Sequence, residues 1–460
     1  MQLTDLRQVY FIGVGGIGMS AIARYFNQLG KRVSGYDKTK TPLTEQLEQE
    51  GIAIHYGEAR PDLVPEPAAD LLVVWTPAIP RDFAELVKVQ AGDYDLRKRS
   101  EVLGLISKHM DCIGIAGTHG KTTTTTLTTH LMTVAGLAPH AFLGGLSRNF
   151  AGNYVAGESD FVIAEADEYD RSFLRLTPEI AVVLSCDPDH LDIYGDHDAM
   201  LETGFRAYAR QIKEGGQLIV RYDVAHHFRN IDHVMLSTFG IGRGDFCAHN
   251  VRVENGAFHF DLKEPDGHLI QNIRTTLPGR HNVENAVAAC AVTRLAGGSE
   301  EAIVEGLATF KGIYRRFETA LRTEDIVIID DYAHHPTELD AAIGAAKELY
   351  PDRTIRGVFQ PHLFSRTQDF AAGFARALDA LDEAILIPIY PAREKPIPGV
   401  TSASIFERMR NPRKRLLTDE QMLAAVGELN DGVLLLLGAG DIDALVPKIV
   451  SAHQNTLTRG

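Results

Sequence analysis

Two glycine-rich turns, each set between a buried strand and a helix, limit what this chain can fold into more than any other feature. The first is Phe11-Ile-Gly-Val-Gly-Gly-Ile-Gly-Met-Ser20. It places Gly13, Gly15 and Gly18 in a Gly-x-Gly-x-x-Gly pattern, with Gly16 and Ile17 between them. "RQVYFI" before it reads as a short buried strand, and "MSAIARYFNQLG" after it as a helix ending at Gly30. "KRVSGYD" is then a second strand that ends in Asp37, about twenty positions past the last glycine, where an NAD site wants an acid. The physics asks for less. Glycines let the backbone approach a pyrophosphate, and a helix N-terminus offers it unpaired N–H groups. Nothing in the turn requires nicotinamide, and a plain packing turn is the alternative.

The second turn is "GIAGTHGKTTTTT", Gly114 to Thr126. A buried strand runs into Gly117-Thr118-His119-Gly120-Lys121-Thr122, and a helix follows. This is a phosphate-cradling loop in which Lys121 reaches the β- and γ-phosphates and the Thr122 hydroxyl binds Mg²⁺. The longer G-x-x-x-x-G-K-[ST] spacing fails, because the position it needs as glycine is Ile115. The threonine run is poor helix material, since β-branched residues lose χ1 freedom. Two phosphate sites in succession weaken a dehydrogenase reading. They favour an enzyme that holds one nucleotide-bearing substrate while consuming another nucleotide.

The alternation of strand and helix restarts twice, at "DCIGIAG" near residue 111 and at "DIVIIDDYAHHP" near residue 326. This predicts an α/β chain of three domains, at 1–108, 109–313 and 314–460, the outer two Rossmann-like and the central one of phosphate-loop ATPase type. A length of 460 residues accommodates that division. The net charge of −15 argues against a nucleic-acid binder, which needs a basic surface. Cys112, Cys186, Cys247 and Cys290 are far apart and read as buried free thiols of a reducing cytosol. No apolar run approaches membrane length, so membrane insertion is not expected.

Two acidic loops follow strands of the central region. "FVIAEADEYDRSFL" carries Glu165, Asp167, Glu168 and Asp170. "SCDPDHLDIYGD" carries Asp187, Asp189, His190 and Asp192. Hard oxygen ligands suit Mg²⁺, and a histidine ligand leaves Mn²⁺ as a substitute. Taken alone, each acid is a solvated loop residue. Downstream of a phosphate loop, Glu165 and His190 become the preferred metal ligands.

The ordered set "GVGGIGMSAIA", "GTHGKTTTT", "EADEYDRSFL", "DHLDIYGD", "LPGRHNVENAVAA", "YRRFE", "DDYAHHPTEL", "FQPHLFSRTQDF", "YPAREKPIPGVTS" and "LGAGDI" resembles the Mur ligases over essentially the whole chain. Within them it resembles the alanine-adding branch. Later branches carry a carbamylated lysine shortly after the "DH" loop, and residues 191–212 contain no lysine.

The resemblance implies an ATP-dependent ligase that joins L-alanine to UDP-N-acetylmuramate through an acyl phosphate. Gly13, Gly15, Gly16, Ile17, Gly18 and Asp37 then cradle the UDP part. Gly117, Thr118, His119, Gly120, Lys121, Thr122 and Thr123 hold ATP, joined by His281, Asn282, Asn285, Arg316 and Tyr332. Lys121, His190, Arg316 and Asp331 are the catalytic set, and Thr122, Glu165 and His190 the metal set. Arg315 reads as a surface charge. His362 and Arg366 take the amino acid, whose carboxylate fits the planar fork of arginine. A capped helix start is the other reading of "GRHNVENA", and a satisfied core histidine that of His362. Thr76 and Arg99 are candidate neighbours of the UDP-sugar, left outside the assigned set. The rival readings are a recycling ligase that adds a murein tripeptide and, more remotely, an NAD-dependent oxidoreductase. A monomer and a homodimer fit the sequence equally.

Overall fold

Strands that are apolar along their whole length need cover on both faces, and parallel sheets flanked by helices supply it. The computed structural model describes residues 3–189, 191–392 and 394–457, and holds three sheets, the first parallel and the other two mixed. The first comprises β1 (Gln8–Ile12), β2 (Arg32–Asp37), β3 (Ala53–Tyr56), β4 (Leu71–Trp75) and β5 (Asp95–Lys98), in the order β3-β2-β1-β4-β5. All are parallel, and β1 is central, with Gln8 opposite both Arg32 and Leu71. Val9, Tyr10, Phe11 and Ile12 are fully buried, which is why "QVYFI" shows no alternation.

The second sheet has ten strands: β6 (Asp111–Ala116), β7 (His140–Ser147), β8 (Gly152–Val155), β9 (Phe161–Ala166), β10 (Ile180–Val183), β11 (Gln217–Arg221), β12 (Met235–Ile241), β13 (Phe246–Glu254), β14 (Ala257–Lys263) and β15 (Leu269–Thr275). β6 lies between β9 and β10, parallel to both. The loops that leave these three strands therefore share one edge, at a point where strand order reverses and ligands of α/β sheets bind. β13 and β14 meet at Asn255-Gly256, both with positive φ (52° and 72°), as a tight hairpin turn requires.

The third sheet holds β16 (Glu318–Arg322), β17 (Ile326–Asp331), β18 (Ile355–Phe359), β19 (Glu383–Leu386), β20 (Lys414–Leu416) and β21 (Gly432–Leu437), ordered β16-β17-β21-β18-β19-β20. β16 runs antiparallel to β17, and the pairs β17–β21, β21–β18, β18–β19 and β19–β20 are parallel.

The threonine run does form a helix, Lys121–Val134. Thr126, Thr129 and Thr133 each donate their hydroxyl to the carbonyl four residues back, at 2.8, 2.8 and 2.7 Å. For buried Thr126 and Thr129 these bonds satisfy hydroxyls that the helix would otherwise strand, while Thr133 is exposed. Tertiary burial overrides the weak propensity.

Two compact units divide the chain. One is Met1–His249, Leu262–Gln271 and Glu284–Lys311; the other is Asn250–Asp261, Asn272–Val283 and Gly312–Gly460. Within the first, the helix Ile17–Gln28 is fastened to the β7–β8 hairpin. Buried Arg24 pairs with Glu50 at 2.7 Å and donates to the Asn153 side-chain oxygen. Asn153 Nδ2 in turn donates to Ser20 Oγ at 2.8 Å, and Tyr25 packs on Phe142 and Tyr154. The four cysteines are buried and free.

A polar cluster anchors β1 just before its glycine turn. Glu85, in the helix Ala84–Ala91, is wholly buried. It accepts hydrogen bonds from Tyr10 (2.7 Å), His55 (2.8 Å) and the Arg60 amide (2.8 Å). Burial pushes its carboxyl up, but the bonds from His55, Arg60 and Tyr10 outweigh that, and the group sits below its ordinary value. A carboxylate held below its unfolded pKa adds stability above that pKa and loses it as pH falls through the folded value. Glu85→Ala should therefore cost about 1–3 kcal/mol at pH 7, with the gap to the unaltered protein closing as the medium becomes more acidic than the usual carboxylate range. Urea unfolding midpoints at pH 7 and pH 3 measure both effects.

Candidate active site

At the first glycine turn, Gly13 has φ 93°, and a Cβ there would crowd Thr76 and Ile79. Gly15 donates its amide to Asp37 Oδ2 at 2.7 Å, so the acid at the end of β2 is spent on holding the turn. A Cβ on Gly18 would lie 2.6 Å from Arg99 Nη1, which places a guanidinium beside the start of the helix Ile17–Gln28. Thr76 and Arg99 thus flank the turn. Both were candidate neighbours of the UDP-sugar because they follow other strands of this sheet, β4 and β5.

The second turn is built from the β6 end upward. Gly117 (φ 141°) and Gly120 (φ 82°) adopt left-handed backbone, and a Cβ on Gly120 would press on Asn285 Oδ1. Ser185, after β10, ties the loop down. Its Oγ accepts the His119 amide and meets Thr118 Oγ1, both at 2.9 Å. Thr118 Oγ1 also accepts the Asp187 amide at 3.1 Å, and His119 lies 3.4 Å from Asp187.

Lys121 opens the helix, and its ammonium makes three contacts. It donates to Gly117 O at 2.7 Å and to both Glu168 oxygens at 2.7 and 3.0 Å. Burial alone pushes the ammonium down, but Glu168, Asp167 and Glu165 outweigh it and hold the pKa above the ordinary lysine value. The Glu168 side chain is only 1% exposed. Its own carbonyl accepts the Tyr194 hydroxyl at 2.7 Å, and the turn that follows runs through left-handed Asp170 and Arg171. Glu168 as the partner of Lys121 was not assigned from sequence. Its signal was the pair of acids three residues apart, Glu165 and Glu168, where a strand passes into a turn.

Thr122 donates its hydroxyl to both Glu165 oxygens at 3.1 Å. That pair of hard oxygen groups beside a phosphate loop fits a magnesium ion. Gly144 leaves the space that the Glu165 carboxylate fills. No three acidic, histidine or cysteine side chains converge on a metal site among the described residues. His190 lies outside the described residues, as does the side chain of Asp192.

The other unit gathers a second cluster around the end of β17. Asp331 accepts the amides of Phe317 (2.7 Å) and Ala333 (2.8 Å). Burial pushes its carboxyl up to about 6, against the Arg316 charge and those two amides. Arg316 sits between left-handed Arg315 (φ 59°) and Phe317 (φ 48°), a conformation that holds only where surroundings enforce it. The guanidiniums of Arg315 and Arg316 each lie 5.1 Å from the Tyr332 ring centroid. His281 is pushed down to about 4 by burial and by Arg316, with Glu338 opposing, so it is neutral at physiological pH. Asn282 donates to Pro278 O at 2.7 Å.

Arg315 is not a surface charge. Its side chain is 19% exposed, pairs with Asp443 at 3.2 Å and Asp330 at 3.6 Å, and donates to Gly438 O at 2.6 Å. The reason is topological: β21 lies beside β17, so the glycines after it meet the segment before β16. Further along, His334 Nδ1 donates to Tyr332 O (2.9 Å) and lies 3.2 Å from Glu338. His335 caps the helix Pro336–Leu349. His362 stacks on Tyr390 with centroids 5.8 Å apart and faces His334 at 6.1 Å, while Arg366 adds to the burial that pushes His334 down.

Asp330 is buried, and desolvation raises its carboxyl to about 7 despite Arg315. A folded-state pKa above the unfolded one means stability is fullest at low pH and lost as pH rises through the folded value. Asp330→Asn removes that loss. Its urea midpoint should improve relative to the unaltered protein between pH 5 and pH 8, which parallel titrations at the two pH values would show.

Comparison with known proteins covers all three regions. The "Mur ligase family, catalytic domain" matches residues 8–110, the "Mur ligase middle domain" residues 115–293, and the "Mur ligase, glutamate ligase domain" residues 315–440. The UDP-N-acetylmuramate–L-alanine ligase of Flavobacterium psychrophilum is 44% identical over 454 residues, 98% of each chain. That of Porphyromonas gingivalis is 46% identical over 451 residues, 96% of this chain and 98% of its own. Among solved structures, the UDP-N-acetylmuramate-alanine ligase MurC from Thermotoga maritima superposes with TM-score 0.82 at 26% identity, covering 98% and 99% of the two chains. A murein peptide ligase from Psychrobacter arcticus shares the fold, with TM-score 0.71 at 21% identity over 98% and 99%. The chain belongs to the Mur ligase family.

Proposed function

We propose that this protein joins L-alanine to the lactyl carboxylate of UDP-N-acetylmuramate, with ATP converted to ADP and phosphate, in peptidoglycan precursor synthesis. The observation that carries the reading is identity of 44% and 46%, over nearly the whole chain, to relatives named for that reaction. A phosphate loop with a buried, paired lysine supports it. The likeness to the murein peptide ligase, at 21% identity, supports the fold alone. An oxidoreductase leaves Lys121 and its carboxylate partner without a task.

The chemistry is phosphoryl transfer followed by acyl transfer. A carboxylate oxygen of the lactyl group attacks the γ-phosphorus of ATP and ADP leaves. The amine of alanine then attacks the acyl carbon, phosphate leaves, and the nitrogen gives up a proton. The first step brings two anions together, so it is governed by positioning and charge neutralisation. Lys121 is assigned to the β- and γ-phosphates, within the backbone cradle of Gly117 to Thr123. Thr122, Glu165 and His190 are assigned as the ligands of Mg²⁺, which supplies positive charge against the phosphates when bound. Asn285, pressed against Gly120, is assigned to the nucleotide as well. In the other unit, Arg316 is assigned to the transferring phosphoryl group, and Asp331, Tyr332, His281 and Asn282 to ATP. Gly13 to Gly18 are assigned to the UDP diphosphate. Asp37 serves it indirectly, by fixing the Gly15 amide. His362 and Arg366 are assigned to the amino acid. The buried thiols fit a reducing cytosol, and no helix among the described residues is long and apolar enough to cross a membrane.

Phosphate release from ATP with Mg²⁺ and UDP-N-acetylmuramate tests the reading, with L-alanine or the stem tripeptide added in turn. Release with L-alanine and an alanylated UDP product is the expected result. Release with the tripeptide alone would move the protein to the recycling branch. Lys121→Ala should cut turnover by about a hundredfold or more while UDP-N-acetylmuramate still binds by calorimetry. Glu168→Gln takes away the anion that competes for Lys121, so the ATP Kd of that variant should fall; a Kd that rises would contradict a competing role for Glu168.

A further inference from the structure

The helix Phe364–Leu378 begins without a side-chain cap of its own. Its N-cap residue is Leu363, at φ 70° and ψ 140°, a left-handed conformation that a branched side chain rarely adopts. A leucine offers no oxygen to the first amides of the helix, which need acceptors. The acceptor comes from 29 residues further along the chain. Glu394 Oε2 accepts the Ser365 amide at 2.9 Å, and Oε1 accepts the Ser365 hydroxyl. The loop that carries it is folded to fit. Glu394 donates its amide to Pro391 O at 2.9 Å, Leu363 donates to Tyr390 O at 3.0 Å, and Tyr390 donates to Pro361 O at 2.8 Å. His362 and Tyr390 form a β-bridge and stack their rings. Burial pushes the Glu394 carboxyl up, yet Ser365, the Phe364 amide and His362 bring it below the ordinary value, so it is charged where it caps the helix.

The clasp closes on one short stretch. His362 precedes Leu363, and Arg366 follows Ser365. With Ser365 held and Leu363 in left-handed backbone, the backbone from which both flanking side chains leave is fixed. The helix N-terminus, which attracts anions, already holds an internal carboxylate.

We infer that Glu394 is a positioning residue for the amino-acid substrate: by capping the helix Phe364–Leu378 from the Tyr390–Glu394 loop, it fixes His362 and Arg366 to receive that substrate's carboxylate. The inference rests on the assignment of His362 and Arg366 to the amino acid. It is tested on the full chain by phosphate release at saturating Mg²⁺, ATP and UDP-N-acetylmuramate with L-alanine varied. Glu394→Ala should raise the KM for L-alanine by about tenfold, with the KM values for the other two substrates within about twofold. Glu394→Gln keeps an acceptor for the Ser365 amide and should recover most of the loss. In an Arg366→Ala background the further Glu394→Ala change should add little, because the first residue acts through the second. Ser365→Ala loosens the clasp alone; a smaller rise in the same KM is expected, and it stands in should Glu394→Ala not fold. An unchanged KM for L-alanine in Glu394→Ala and Ser365→Ala, beside a raised one in Arg366→Ala, overturns the clasp and leaves the site assignment intact. An unchanged KM in Arg366→Ala overturns the site assignment and the clasp with it. A rise in all three KM values together reduces Glu394 to a structural role and also overturns the proposal.

Discussion

Burial of parallel strands on both faces is the constraint from which the rest follows. A strand such as β6, with Cys112 to Ala116 wholly enclosed, can present polar chemistry only past its ends. The crossover helices put the following loop at the C-terminal end each time. Gly117 to Lys121, Glu165 to Glu168 and Ser185 to Asp187 are therefore neighbours because β6, β9 and β10 are neighbours. The same rule brings Asp331 and Tyr332 to the end of β17 and Gly438 to the end of the adjoining β21. A family of ligases can vary what these loops carry without disturbing the sheets that hold them.

Charge inside such a structure must be matched, and the matching shapes both clusters. Lys121 and Glu168 are nearly enclosed, and removal of either partner would leave an unpaired charge in a poor solvent. The pair fixes the lysine at the mouth of the phosphate loop, and Tyr194 and the left-handed turn at Asp170 and Arg171 fix the glutamate. Asp330 and Asp331 are adjacent acids at one strand end, both raised first by burial. They are kept apart in function by different partners. The Arg315 guanidinium lies beside Asp330, and the amides of Phe317 and Ala333 donate to Asp331. Backbone strain recurs at the same places, at Arg315, Phe317 and Leu363, each next to a residue assigned to a substrate.

Much of this was legible beforehand, for identifiable reasons. Glycine patterns and uninterrupted apolar strands are local, so β1, β6, β9, β17 and β21 and both turns could be read directly. The link between Thr122 and Glu165 was inferred from a phosphate loop and an acid at a strand end, and the two do meet. Arg315 was misread because a charged residue in a loop ordinarily faces water, and nothing nearby in sequence offers the carbonyls it binds. The helical threonine run was undervalued because propensity ignores the carbonyls that buried hydroxyls can bond. Glu168, Ser185 and Glu394 were passed over as partners, since each acts on a residue tens of positions away.

The sequence by itself determined which segments are strands and helices, where the backbone turns left-handed at glycine, and which residue types are available for phosphate and metal. Those properties depend on side-chain shape and polarity within a few residues. Tertiary structure alone decided which of these residues meet, and how far each charge is withdrawn from water. It assigned Lys121 to Glu168, Asp37 to the Gly15 amide, and Ser365 to Glu394. Hydrogen bonds and ion pairs act over a few ångströms of space, and only the order of strands in a sheet converts separation along the chain into that distance.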